Sequence, residues 1–121
     1  MKEIVIQTQN SNREIVVKAE FAVDEASRMA GLMFRKNLGK NEAMIFLFPE
    51  DNLMPFWMHN TYLPLDIVFI NRNHEIIYIA ENAKPLSDDL IQPPSPYRYT
   101  LEVNAGFIAE HKIQVGDRVK F

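Results

Sequence analysis

The chain has 121 residues, 47% of them hydrophobic and 24% charged, which is the size and composition of one globular domain spanning residues 1–121. Thirteen lysines and arginines against sixteen aspartates and glutamates give a net charge of -3, which excludes the basic excess of a general nucleic-acid-binding surface. There is no cysteine, so thiol catalysis, thiolate metal ligation and disulfides are excluded together.

The start, MKEIVIQTQN, lacks an apolar stretch of signal-peptide length. No run approaches the roughly 20 apolar residues of a membrane span. The expectation is a chain without membrane insertion, cytoplasmic as the sequence stands and extracytoplasmic if a leader has been removed. Ile4 and Ile6 alternate with polar neighbours and predict a short strand. A second follows over Ile15 to Val23, where Val17, Ala19, Phe21 and Val23 alternate with Lys18, Glu20 and Ala22; NSNR (Asn10 to Arg13) is the turn between them. DEASRMAGLMF changes the period. Ala26, Met29, Ala30 and Met33 recur at helical spacing, with Asp24 as N-cap and Arg35 suited to the negative end. Gly31 inside that helix costs about 1 kcal/mol relative to alanine, which close packing would offset.

AMIFLF predicts a short buried strand ended by Pro49, with PEDN as the turn. FWMHNTYLPLDIVFI (Phe56 to Ile70) predicts one strand ending near Met58 and another beginning near Leu65. NRNH (Asn71 to His74) turns the chain into EIIYIA. Asn82 to Pro96, with four of the seven prolines, is the longest irregular segment, and long loops are often functional. YTLEV resumes a strand, Asn104 caps a short helix through His111, VGD turns and RVKF closes the chain. Strands without a regular βαβ alternation argue against a doubly wound fold. The expected class is a β-rich α+β fold: a compact, curved or barrel-like, mainly antiparallel sheet with two short helices.

Asp66 carries the most chemistry. Leu65, Ile67 and Phe69 share one strand face, and Asp66 lies beside Val68 and Ile70 on the other. An ionised carboxylate in apolar surroundings needs a charge partner or several hydrogen bonds. Structurally, it would accept bonds from the HNTYLP turn or from Arg35 and so brace that turn. Functionally, it would be a general acid or base, or would hold a ligand. Asn60 and Thr61 either bond their own turn or offer directed polar groups beside Trp57. Glu102 alternates with Thr100 and Asn104, which predicts a solvent-facing side chain. Were Asp66 and Glu102 to converge, they would form a glycosidase-like pair. His59, His74 and His111 lack metal-binding spacing, and the methionines fall at core-like spacing. No metal, cofactor or catalytic residue is assigned.

Taken together, GLMFR (Gly31 to Arg35), FWMHNTYLPLDIVFI, LEVNAG (Leu101 to Gly106) and VGD resemble the bacterial and archaeal family called domain of unknown function 192. The resemblance runs from about Val17 to the C-terminus. It implies a compact β-rich domain with short helices, implies that many relatives are exported, and brings no established activity. The residues that carry it are Gly31, Met33, Arg35, Trp57, Met58, Asn60, Thr61, Pro64, Leu65, Asp66, Phe69, Glu102 and Gly106. The family often has Gly-Met-Leu-Phe where this chain has AMIF, and a basic residue where His59 stands, which argues against a catalytic His59.

The expected function is a non-enzymatic ligand-binding or accessory domain. Arg35, Trp57, Asn60, Thr61, Asp66 and Glu102 form a shallow site for a polar or anionic small molecule. The alternatives are a glycan-directed hydrolase using Asp66 and Glu102, and a protein-interaction module whose partner the sequence leaves unknown.

Overall fold

A computed structural model describes all of residues 1–121. Seven strands and two short helices follow in the order β1 (Lys2–Gln7), β2 (Glu14–Ala22), α1 (Glu25–Ala30), β3 (Glu42–Asn52), β4 (Leu65–Ile70), β5 (Ile76–Ala83), β6 (Tyr97–Asn104), α2 (Phe107–His111) and β7 (Arg118–Lys120). They build one mixed sheet in the order β5-β4-β6-β3-β2-β1-β7. Every pairing is antiparallel except β2 with β3, the pair that α1 and the following loop join. The sheet curls into a half-barrel. Its two ends are pinned at one corner, where Glu75 bridges Arg118, Ile76 N–H donates to Asp117 O and Val119 N–H donates to His74 O.

A curled sheet buries both of its faces, and β4 shows this most plainly because all six of its residues are buried. Val68 and Ile70 join an inner core with Ile4, Ile6, Val17, Ile45, Leu101 and Val103, closed by Phe107 and Ile108 of α2. Leu65, Ile67 and Phe69 join an outer core with Phe46, Met58 and Tyr97. The loops before β4 and before β6 cover this outer face, joined by an isolated bridge between Phe56 and Ile91. Phe56 sets its ring edge-on against Phe46 and Phe69, at 5.2 and 5.5 Å between centroids. No helix is long and apolar enough to cross a membrane.

Three local expectations are corrected. First, β3 runs through Pro49 to Asn52; a register shift between Leu47 and Asn52 releases the ladder where proline lacks its N–H. Second, residues before Met58 form no strand beyond the single Phe56 bridge, because the aromatic packing holds that segment without a ladder. Third, α1 stops at Ala30 and buries none of its residues; Met29 is 71% exposed. Gly31 is its C-cap, at φ 47° and ψ -131°, a conformation outside the allowed regions of residues with a side chain. A Cβ there would also meet the Phe46 ring at 3.4 Å. Gly31→Ala is therefore expected to cost about 1–3 kcal/mol, read from the urea unfolding midpoint; an unchanged midpoint would refute the assignment.

Candidate functional site

Asp66 is fully buried, and its partners are all backbone N–H groups. One oxygen accepts from Asn82 at 2.9 Å; the other accepts from Gly106 at 3.1 Å and Ile108 at 3.0 Å. Both sites are places where a ladder or helix leaves donors free. The β4–β5 register shifts between Leu65 and Ile67, so the bulged strand has an N–H to spare. At α2, Gly106 is the N-cap and makes no side-chain cap bond, so the carboxylate of a distant strand does that work. Asp66 is thus a clamp between β4, β5 and α2. It does not brace the HNTYLP turn and does not meet Arg35, as the sequence reading expected. Asn104, expected to cap α2, instead donates to Leu38 O and Gly39 O.

The HNTYLP turn holds itself. Thr61 N–H donates to Met58 O and its hydroxyl donates to His59 O. Asn60 takes φ 54°, which asparagine tolerates better than most residues, and its carbonyl accepts from Phe34 N–H. His59 stacks on Trp57 at 4.5 Å and contacts Asp88 at 2.7 Å. Arg35 forms a half-exposed ion pair with Glu20 at 2.7 Å.

Between α1, the turn end of β3 and the Met54–Thr61 segment lies a cleft of about 680 Å³. Of the six residues singled out from the sequence, the cleft brings together Trp57, Thr61 and Glu102; Arg35, Asn60 and Asp66 do not line it. Phe46, Phe48, Phe56, Met29, Met33 and Met54 complete its walls. Sequence reasoning missed these, because methionines at helical spacing and phenylalanines in a strand read as core. No signal in the sequence set them apart: Met29 and Met33 fall at helical spacing, yet α1 ends at Ala30 and leaves Met33 outside the helix.

Glu102 comes from β6 and is 4% exposed, against the expectation of a solvent-facing side chain. It sits opposite Met44 on β3 and Ile67 on β4, so the outer face of the sheet carries it into the outer layer. Burial alone pushes its carboxyl up to about 8. No donor or cation touches it to favour ionisation, and it is protonated at neutral pH. Asp66 pairs with Val103 on the adjoining strand. Directly opposed residues share a face and successive ones alternate, so the two carboxyls point to opposite sides of the sheet. The glycosidase-like pair does not form.

Arg28 is the one cation on the cleft wall. Its guanidinium donates to Val23 O at 2.8 Å and Leu47 O at 2.9 Å and lies 5.2 Å from the Phe48 ring centre. A second cleft of about 420 Å³ is lined only by polar residues, several of which bond locally: Asn10 bonds Gln114, Thr8 meets Ser11, and Asp117 receives Gln9 and Gln114 N–H. No group of three or more histidine, cysteine or acidic side chains is placed to hold a metal.

The DUF192 family model (Uncharacterized ACR) matches residues 5–121, starting earlier than the resemblance in sequence does. UPF0127 protein PF1050 of Pyrococcus furiosus is 29% identical over 111 residues, covering 90% of each chain. A crystal structure from Sinorhizobium meliloti 1021, provisionally described as a transcription regulator, superposes with TM-score 0.94 at 39% identity and covers 99% of this chain and 93% of that one. A protein of unknown function from Novosphingobium aromaticivorans DSM 12444 gives TM-score 0.93 at 36% identity, over 98% of this chain and 84% of that one.

Proposed function

This chain belongs to the DUF192 family, and we propose that it binds a small molecule in the cleft between Trp57, Thr61 and Glu102 without transforming it. The observation that carries this reading is a wide cleft with largely apolar walls and one buried carboxyl on its lining, the other acids of the wall, Glu25, Glu50 and Asp51, being exposed at its edge. A binding site needs apolar walls and a few directed polar groups; an acid–base enzyme needs partners within hydrogen-bond reach of each other. Asp66, the second carboxylate of the hydrolase alternative, is committed to three backbone donors on the other face.

The small ligand is polar at one end and apolar along its body. Arg35, the cation that would favour an anion, pairs with Glu20 away from the cleft. The regulator description of the Sinorhizobium meliloti protein is not carried over, because sixteen acidic against thirteen basic residues provide no basic excess for nucleic acid. A fragment screen with chemical-shift mapping is expected to give hits that move the Trp57 indole, the Met29 and Met54 methyls and Thr61. Reproducible hits that all map elsewhere would overturn the proposal. The interaction-module alternative draws on the exposed apolar rim, where Met29, Phe34, Met54, Trp57 and Tyr62 are each more than one-third exposed. It predicts self-association or capture of an apolar peptide, with fragments failing to enter the cleft.

A further inference from the structure

We propose, resting on that reading of the cleft, that its ligand is an organic ammonium ion with an apolar body, and that Glu102 is the counter-charge that receives it. Glu102 is more than nine-tenths buried and lines the cleft, and its carboxyl makes neither a hydrogen bond nor an ion pair with any group of the protein. Buried carboxyls elsewhere in this chain are satisfied: Asp66 has three backbone donors and Asp117 has two. A carboxyl left without protein partners on a cavity wall is open to whatever enters the cleft, and its oxygens are not among the sealed, unpartnered atoms, which are Thr100 Oγ1 and His111 Nε2. An ammonium group supplies both the missing proton donors and the missing charge.

The rest of the wall agrees with a cation. Besides Glu102, its charged groups are Glu25 and Arg28 on α1 and Glu50 and Asp51 on β3. Asp51 is paired with Arg98 at 3.0 Å, and the Arg28 guanidinium is held by two carbonyls and lies over Phe48. Glu25 and Glu50 form no ion pair and leave the rim acidic, so an anion would meet a carboxyl at the wall and carboxylates at the rim. Trp57, Phe56 and the methionines line it with aromatic rings and polarizable sulfur, side chains of the kind that hold ammonium ions and their alkyl chains. Neither β4, which places Ile67 opposite Glu102, nor the Met54–Thr61 segment adds a titratable group to the lining.

Binding an ammonium ion also has a proton signature. Glu102 is neutral at pH 7 and must ionise to act as counter-charge, so binding releases a proton. Affinity therefore rises as pH climbs toward and through about 8, as long as the amine itself stays protonated.

The test compares n-hexylammonium, n-hexanol and hexanoate, one apolar body with three head groups, by chemical-shift titration and by calorimetry in two buffers of different ionisation enthalpy. The expected result is that hexylammonium binds on the order of tenfold or more tightly than hexanol, with proton release, and that hexanoate binds weakest. Glu102→Gln should abolish both the preference and the proton release. Trp57→Ala, at a half-exposed position, should weaken hexylammonium several-fold while leaving the pH trend. Equal binding of hexylammonium and hexanol in the cleft, or a preference that survives Glu102→Gln, would overturn the ammonium assignment and leave the binding-domain reading standing. If no head group moves any cleft resonance and the fragment screen is equally silent there, both readings fall.

Discussion

Glu102→Gln is expected to stabilise the folded protein at alkaline pH and to change it little in acid. Burial raises the Glu102 carboxyl from 4.5 to about 8. Over that interval the folded chain keeps a proton that the unfolded chain has released. Stability from this group is therefore fully present below about pH 4.5 and is lost as pH rises toward 8, at roughly 1.4 kcal/mol per pH unit. Glutamine is close in size and never ionises, so the variant lacks that slope. The wild type should lose on the order of 3–5 kcal/mol between about pH 4 and pH 8.5 that the variant keeps. Urea unfolding of both proteins across the pH series reads the difference in slope, which is free of any constant offset from repacking an amide. Parallel stability curves would mean that the carboxyl is solvated or paired, and the account of the cleft wall would fail with it. A protein that forgoes several kcal/mol at neutral and alkaline pH to keep an unpartnered acid beside a cavity is more simply understood if something else occupies the cavity.

The elements built on strict alternation were legible from the residues. Leu65, Ile67 and Phe69 on one side of β4, with Asp66, Val68 and Ile70 on the other, fell as period two requires, and both faces being apolar already implied a sheet covered twice. Alternation misled at Glu102. Thr100, Glu102 and Asn104 form a polar face in sequence, yet Thr100 and Glu102 are buried, because the loops around Leu38 and Phe56 cover that side and nothing local announces them. The hydroxyl of Thr100 finds no partner there, so this strand face is polar by composition and enclosed by packing. At Met29 the error ran the other way: a helical apolar stripe promised core, but α1 is too short to bury it and it lies open beside the cleft. Three of the six residues singled out from sequence, Trp57, Thr61 and Glu102, thus line the cleft. Its other walls could not be named from sequence, since they are assembled by parallel pairing of β2 with β3 and by a loop bridged through Phe56 and Ile91.

The other large effect is expected at Asp66, where Arg35 or backbone N–H groups were the expected partners and backbone N–H groups hold it, though not those of the HNTYLP turn. Nothing in the local sequence points to donors 16, 40 and 42 residues away. Asp66→Ala would leave those three N–H groups, at a strand bulge and a helix start, facing an apolar core without an acceptor. Each orphaned donor costs about 1–3 kcal/mol, and partial relaxation brings the expected loss to roughly 3–5 kcal/mol for the set. Asp66→Asn separates the clamp's halves. An amide offers one accepting oxygen, so it can serve Asn82 or the Gly106–Ile108 pair but not both, and the loss should be intermediate. Hydrogen exchange should accelerate at whichever amides are abandoned. Arg35→Ala provides the contrast, because its ion pair with Glu20 is 40% and 34% exposed and is worth about 0–1 kcal/mol. If Asp66→Ala unfolds at the wild-type urea concentration, or if Ile108 and Asn82 remain protected in it, the clamp does not exist. If the clamp holds as described, folded Asp66→Asn should still take up n-hexylammonium. The side chain at position 66 lies on the inner face and Glu102 on the outer, so the two buried acids of the strands are separate: Asp66 is held by three backbone donors and the Glu102 carboxyl has no protein partner.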